Sequence, residues 1–350
     1  MVRQAVFAIP GDIATPTGGY AYDRRIIAEL RQLGWQVDVL GLGDGFPRPA
    51  EGTKQSAGRL LQNLPGDIPA VIDGLAFGVL PEAAEALRGS HCLVALVHHP
   101  LALETGLSRG DADTLRCCER RALACARHVI ANSETTARGL VSDYDVPPGR
   151  ISVVVPGCDR AAFARGGENG VVSLLAVGSI VPRKGYDVLL AALAILRDLP
   201  WTLTIAGDTT RDLAATAQLM DDIARFDLVS QVTVVGAVDD VRIGQLYDGA
   251  DVFVLASRYE GYGMAFTEAI AHGLPVVGTR AGAIPEAVPE GAGLLVPPDD
   301  APALAGALRL LIGQPEERRR LAAAARAAAT ALPAWQTSAV RFAQVLEAVS

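Results

Sequence analysis

Lysine is almost missing from this 350-residue chain: among 31 basic side chains only Lys54 and Lys184 are lysine. Acidic groups number 39, and the net charge of −8 excludes the basic footprint that nucleic-acid binding needs. The five cysteines (Cys92, Cys117, Cys118, Cys125, Cys158) are irregularly spaced and form no CxxC pair. That excludes a zinc knuckle and argues for reduced thiols rather than a disulfide frame. No apolar run approaches the roughly 20 residues that span a bilayer, and the apolar stretch after Met1-Val2-Arg3-Gln4 is too short for a signal-sequence core. A cytoplasmic protein without a transmembrane segment is expected, and the near-neutral first half permits peripheral contact with an anionic membrane. Neither a Gly-x-Ser-x-Gly elbow nor a Walker lysine loop occurs. Two Asp-x-Asp pairs, Asp111/Asp113 and Asp143/Asp145, fall at an expected helix start and end, where capping or solvation accounts for them. No metal site is expected.

What is present is alternation. Strand-like runs at 5–9, 37–40, 70–72, 93–97, 128–131 and 151–155 are separated by helix-period segments near 21–33, 79–88, 111–126 and 133–143. Runs apolar on both faces, each followed by a helix, indicate a parallel sheet covered by helices. A small-residue stretch from Pro156 to Gly170 reads as a linker, after which the pattern restarts. Strands are expected at 171–177, 203–206, 232–235, 252–255, 275–278 and 293–296, with helices at 186–198, 211–226, 241–249, 263–272 and 301–313. The fold class is therefore α/β, with two doubly wound Rossmann-like domains, 1–160 and 170–332, facing a central cleft. A last helix near 336–350 is expected to pack back on the first domain.

Four motifs could carry chemistry. Ser257-Arg258-Tyr259-Glu260-Gly261-Tyr262-Gly263-Met264 leads from an expected strand into a helix bearing Glu268. Amides at such a helix start suit an anion, and a carboxylate can accept two hydrogen bonds from a ribose diol. The plain alternative is a capping Glu260 and a solvated Glu268. Arg183 and Lys184 follow the first strand of the second domain, where two cations could neutralise a diphosphate; a solvated basic turn is the alternative. Gly18-Gly19 after the first strand would let backbone approach a phosphate or sugar, or simply make a tight turn. His98 and His99 end a first-domain strand, where one could hydrogen-bond a sugar hydroxyl or relay a proton, or be a satisfied structural histidine.

Together these residues resemble the large family 4 of retaining GT-B glycosyltransferases, most sharply between Val177 and Val296. The resemblance rests on the Glu-x7-Glu string Glu260–Glu268, Pro182-Arg183-Lys184-Gly185, Gly282-Ala283-Ile284-Pro285-Glu286, Gly293–Pro297 and the tail with Trp335. It implies a nucleotide-diphosphate sugar donor, hexosyl transfer with retention, and no cofactor or metal. It further implies that Glu260 touches donor-sugar hydroxyls, Glu268 the ribose, and Lys184 the diphosphate. Backbone at Gly261, Tyr262, Gly263 and Met264 would reach sugar and phosphates, with Gly18, Gly19 and His98 near the sugar. The acceptor could be a small molecule, a lipid or a glycan. One departure stands out: the family often carries arginine after the glycine matched by Gly178, and this chain has Ser179. Either Arg183 supplies that charge or the diphosphate is held less firmly. A nucleotide-sugar epimerase or hydrolase and a non-catalytic sugar-nucleotide-binding subunit are the alternative functions.

Overall fold

The computed structural model describes residues 3–167 and 170–350; Met1 and Val2, and Glu168 and Asn169 of the expected linker, lie outside them. The chain forms two compact units, one made of residues 1–157 and 333–350, the other of 158–332.

In the first unit six strands build one parallel sheet: β1 (Gln4–Ile9), β2 (Gln36–Gly41), β3 (Ala70–Asp73), β4 (Leu93–Val97), β5 (His128–Ala131) and β6 (Ile151–Val153), in the order β2-β1-β3-β4-β5-β6. From β1 the chain turns outward to β2, then crosses back to lay β3 on the other side of β1. Crossovers of one hand put helices on both faces and open a crevice beyond the carboxyl ends of β1 and β3. Alternation along β1 shows the two faces. Ala8 joins the cluster of Ile72, Ala95 and Leu140, while Phe7 stacks on Phe342 of the terminal helix Trp335–Val349 at 5.6 Å between ring centroids. That helix is further fixed by Arg3–Glu347 at 2.9 Å and by the Cys92 thiol donating to the Val349 carbonyl at 3.3 Å.

The second unit has β7 (Val172–Val177), β8 (Trp201–Ala206), β9 (Val232–Gly236), β10 (Val252–Val254), β11 (Val276–Thr279) and β12 (Gly293–Val296), ordered β12-β11-β10-β7-β8-β9, again all parallel. Here the order reverses between β7 and β10, which pair directly, Leu174 opposite Val252. Trp201, Phe253, Phe266 and Leu189 centre a core on this sheet. Three of its helices begin at an aspartate whose carboxylate accepts the amide three residues on: Asp212 from Ala215, Asp239 from Arg242 and Asp300 from Ala303. Each such cap contributes about 1 kcal/mol.

Strand starts and ends lie within two residues of the sequence reading, and β4, β5 and β12 match it at both ends. The helix Glu51–Gln62 was not expected: only Ala57 and Leu61 of its residues are buried, too sparse a stripe to read as a period. No helix among the described residues is long and apolar enough to cross a membrane.

Candidate active site

The loops after β7 and β10 leave neighbouring strands and meet at the reversal point. After β7 the chain makes a single turn, Pro182–Lys184, before the helix Tyr186–Ala194. After β10 it runs through Ser257–Gly263 into the helix Met264–Ala271. Across that short gap Lys184 Nζ lies 2.6 Å from Glu260 Oε1, and Arg183 Nη1 lies 3.2 Å from Glu260 Oε2. Ser257 Oγ also donates to Glu260 Oε1 at 2.6 Å. Residues 76 and 77 apart in sequence thus share one carboxylate.

All three charged groups are largely buried. Burial alone would raise the Glu260 carboxyl, but Lys184 and Arg183 outweigh it and hold it down at about 2. Glu260 is therefore ionised at any ordinary pH. Two cations thus converge on one carboxylate where the two loops meet, a place where an anionic ligand can compete for them.

The same carboxylate loop is fixed from behind. The Glu260 carbonyl accepts the amide of Ala283 at 2.9 Å, and a Cβ on Gly282 would stand 2.3 Å from that carbonyl oxygen. Only glycine fits there. Arg258 clamps the two loops together, donating to the Pro182 carbonyl at 2.6 Å and pairing with Asp187 and Asp299, each at 2.7 Å. The helix carrying Glu268 starts at Gly263, in the left-handed region at φ 101°, with no capping side chain and no acid in its first turn. Its leading amides are thus not taken by a side-chain cap, unlike those capped by Asp212, Asp239 and Asp300. Tyr262 is buried beside it and Met264 half-buried. On that helix Glu268 accepts the Tyr247 hydroxyl at 3.0 Å, and Tyr247 stacks on His272. Burial lifts the Glu268 carboxyl to about 7; Tyr247 and, less strongly, Lys184 pull it back, while Asp159 and Asp240 raise it.

In the first unit Gly18 and Gly19 open the helix Gly18–Gln32, whose cap is Thr17. His98 follows β4, and a Cβ on Gly19 would lie 3.1 Å from its ring, so the glycine turn and His98 are neighbours. His98 Nε2 sits 3.1 Å from Asp23 Oδ1, while His99 turns instead to Glu104 at 3.4 Å. Asp111 and Asp145 serve helix ends: Ser108 and Asp111 cap one helix start together, and Asp145 closes another in the left-handed conformation. Among the described residues one group of ligand-type atoms is close enough for a metal ion, Asp23, Asp73 and His98, one atom from each within 4.8 Å of the others.

The structure therefore groups Arg183, Lys184 and Glu260 directly, with Glu268 and residues 261–264 on the adjoining loop and helix. Gly18, Gly19 and His98 form a separate group in the first unit. Sequence reasoning quoted Ser257 and Arg258 within the motif without giving them a role, and passed over Tyr247, Asp23 and Asp73. For Asp23 a signal existed, since it shares the buried stripe of Ile26, Ile27 and Leu30, where an acid needs a partner.

Comparison with known proteins joins the two groups in one family. Residues 21–162 match the model described as Glycosyltransferase Family 4, and 159–328 match Glycosyl transferases group 1. A D-inositol 3-phosphate glycosyltransferase of Rhodococcus erythropolis is 30% identical over 302 residues, covering 74% of this chain and 68% of its own. The chain belongs to the family 4 glycosyltransferases. This glycosyltransferase is also similar to an MMP alpha-(1->4)-mannosyltransferase of Mycolicibacterium hassiacum, 29% identical over 320 residues, with 87% of this chain and 76% of that protein covered. Among solved structures, HepE of Anabaena, in complex with UDP-glucose, superposes with a TM-score of 0.77 at 19% identity, covering 99% of each chain. The two doubly wound units of this glycosyltransferase have the GT-B fold.

Proposed function

We propose that this glycosyltransferase takes a hexosyl group from a nucleoside-diphosphate sugar and transfers it with retention of anomeric configuration, without a metal ion or other cofactor. The observation that carries the reading is the Glu260–Lys184–Arg183 cluster at the reversal point of the second sheet, the place where doubly wound sheets bind ligands. In this reading the second unit binds the donor. Lys184 and Arg183 take the diphosphate, and as the glycosidic bond breaks they stabilise the charge growing on the leaving group. Arg183 then also stands in for the arginine that Ser179 replaces. Glu260, freed from part of its pairing as the phosphates draw the cations, accepts hydroxyls of the donor sugar. Amides at 261–264 support the phosphates and sugar, and Glu268 accepts the ribose diol. Gly18, Gly19 and His98 of the first unit are assigned to the sugar, and the first unit to the acceptor. The leaving diphosphate guides the acceptor hydroxyl to the same face, so no protein nucleophile is required.

The test begins with thermal shifts against UDP, GDP, ADP, dTDP and their sugar conjugates. A ligand at about a hundred times its Kd stabilises by about 2.7 kcal/mol, and no response to any of them would remove the donor assignment. HepE and its UDP-glucose make the uridine conjugates the first to try, and the relatives make D-inositol 3-phosphate the first acceptor. Retention is read from the anomeric coupling of the product by NMR; an inverted product refutes it.

Two further results are expected. Glu268→Ala weakens nucleotide binding about tenfold, the value of one charge-assisted pair of hydroxyl contacts. Because the ionised carboxylate is the better acceptor and its carboxyl lies near 7, wild-type affinity also falls as the pH drops below 7, and this fall vanishes in Glu268→Ala. Calorimetry between pH 6 and 8 checks both; unchanged affinity removes the ribose role. Separately, EDTA leaves turnover unchanged. Turnover that depends on added Mg²⁺ or Mn²⁺ would defeat the metal-free mechanism.

A further inference from the structure

Three side chains meet at the reversal point of the first sheet, and the reading above uses only one of them. Asp23 lies on the helix that follows β1, Asp73 is the last residue of β3, and His98 follows β4. Both carboxylates are wholly buried, Asp23 at 0% and Asp73 at 1% exposure. Asp23 Oδ1 holds His98 Nε2 at 3.1 Å, and Asp73 Oδ2 stands 3.8 Å from the same nitrogen. Asp73 Oδ1 accepts the Leu75 amide at 2.7 Å. The two remaining oxygens, Asp23 Oδ2 and Asp73 Oδ2, are buried without a hydrogen-bond partner. Leaving carboxylate oxygens bare in a dry interior costs several kcal/mol, and the Asp73 and Asp23 carboxyls are close enough to hydrogen-bond to one another when one of them is protonated.

We infer that Asp23 and Asp73 are positioning residues that share one proton and together hold His98 as an imidazolium, with Nε2–H on Asp23 and Nδ1–H as the ring's donor to a ligand. The inference rests on the role proposed above for His98. The surroundings agree with it. Burial, and then the charge of Asp23, lift the Asp73 carboxyl to about 7, so that it holds a proton well above the ordinary carboxylate range. Burial opposes a charge on His98, yet the Asp23 carboxylate and its hydrogen bond outweigh that and raise the imidazole above its ordinary range.

The other titratable groups nearby leave this balance alone. Tyr22 sits edge-on to the His98 ring at 5.4 Å, its phenol kept neutral by burial and donating to the Val154 carbonyl at 2.9 Å. Glu119, on the helix Arg109–Cys125, accepts the Leu101 amide at 3.0 Å and is lifted by burial to about 8, so it is mostly neutral at pH 7. His99 and Glu104 pair with one another. The glycine at position 19 keeps a side chain off the ring and so leaves the imidazole room beside the turn.

The test is a long-range proton–nitrogen spectrum of the full chain with labelled histidine, followed from pH 5 to 9, alongside turnover. Wild-type His98 should stay doubly protonated to a pH at least about one unit above His128, which burial and Arg150 lower. Asp23→Asn should move the His98 titration down by about a unit or more and lower kcat about tenfold or more, with a small change in KM, and Asp23→Glu should restore part of both. A neutral His98 at pH 7 in the wild type overturns the inference, and that spectrum decides even if a variant fails to fold. So does an Asp23→Asn spectrum identical to wild type. Mn²⁺ or Zn²⁺ that raises the wild-type melting temperature but not that of Asp23→Asn would mark the trio as metal ligands instead, which also overturns it. If the spectra behave as expected while His98→Ala turns over like wild type, the positioning stands and the proposed role of His98 falls.

Discussion

Replacing Lys184 with alanine lowers kcat by about a hundredfold or more, because a preorganised charged donor aimed at developing negative charge is worth that much in a partly buried site. The structure makes this more than the loss of one contact. Lys184 and Arg183 share Glu260, and without Lys184 the carboxylate keeps only Arg183 and Ser257. Its carboxyl then titrates above its present value of about 2, so the activity of the variant fails earlier as the medium is acidified. Lys184→Arg restores little. The lysine stem passes close over Gly178, where a Cβ would lie 3.1 Å from Lys184 Cε, and a planar guanidinium does not replace a compact ammonium in that space. The measurement is kcat at saturating donor across pH, with circular dichroism to show the fold intact. Wild-type turnover in Lys184→Ala would end the leaving-group argument.

Phe342→Ala destabilises the first unit by about 3–5 kcal/mol, the usual cost of deleting a buried aromatic side chain. Phe342 is fully buried, and its ring stacks on Phe7 in the strand at the heart of that sheet. No group assigned to chemistry lies on the terminal helix, so the loss should appear in unfolding before it appears in turnover. Calorimetry should show one unfolding transition moved down by about 10 °C or more. A shift of less than about 1 kcal/mol would mean that the helix contributes little to that core.

Much of the architecture can be read in the chain because buried parallel strands are apolar on both faces. Leu93–Val97 and Gly293–Val296 are legible as such runs, and the aspartates before 213, 240 and 301 mark helix starts. What the chain conceals is adjacency. Lys184 and Glu260 meet because β10 lies beside β7, with β8 and β9 on the far side, and nothing local in either loop states that order. Only the general rule for doubly wound sheets suggested it. Arg258 stands inside the most telling string and yet drew no role from it, since its partners Asp187 and Asp299 are 71 and 41 residues away. Asp73 was hidden for a different reason. A single acid closing an apolar strand looks like a turn residue until the fold buries it against a second one.

The first unit is also interrupted: the chain leaves it after Gly157 and returns at Pro333. On a ribosome, residues 158–332 are one continuous stretch and can complete their own sheet while the first unit still lacks its last piece. Phe7 precedes the whole second unit in the chain and Phe342 follows it, so the face of β1 is uncovered until Phe342 has been made. A chain stopped short of position 342 would thus carry all of the second unit's residues with the first sheet still open.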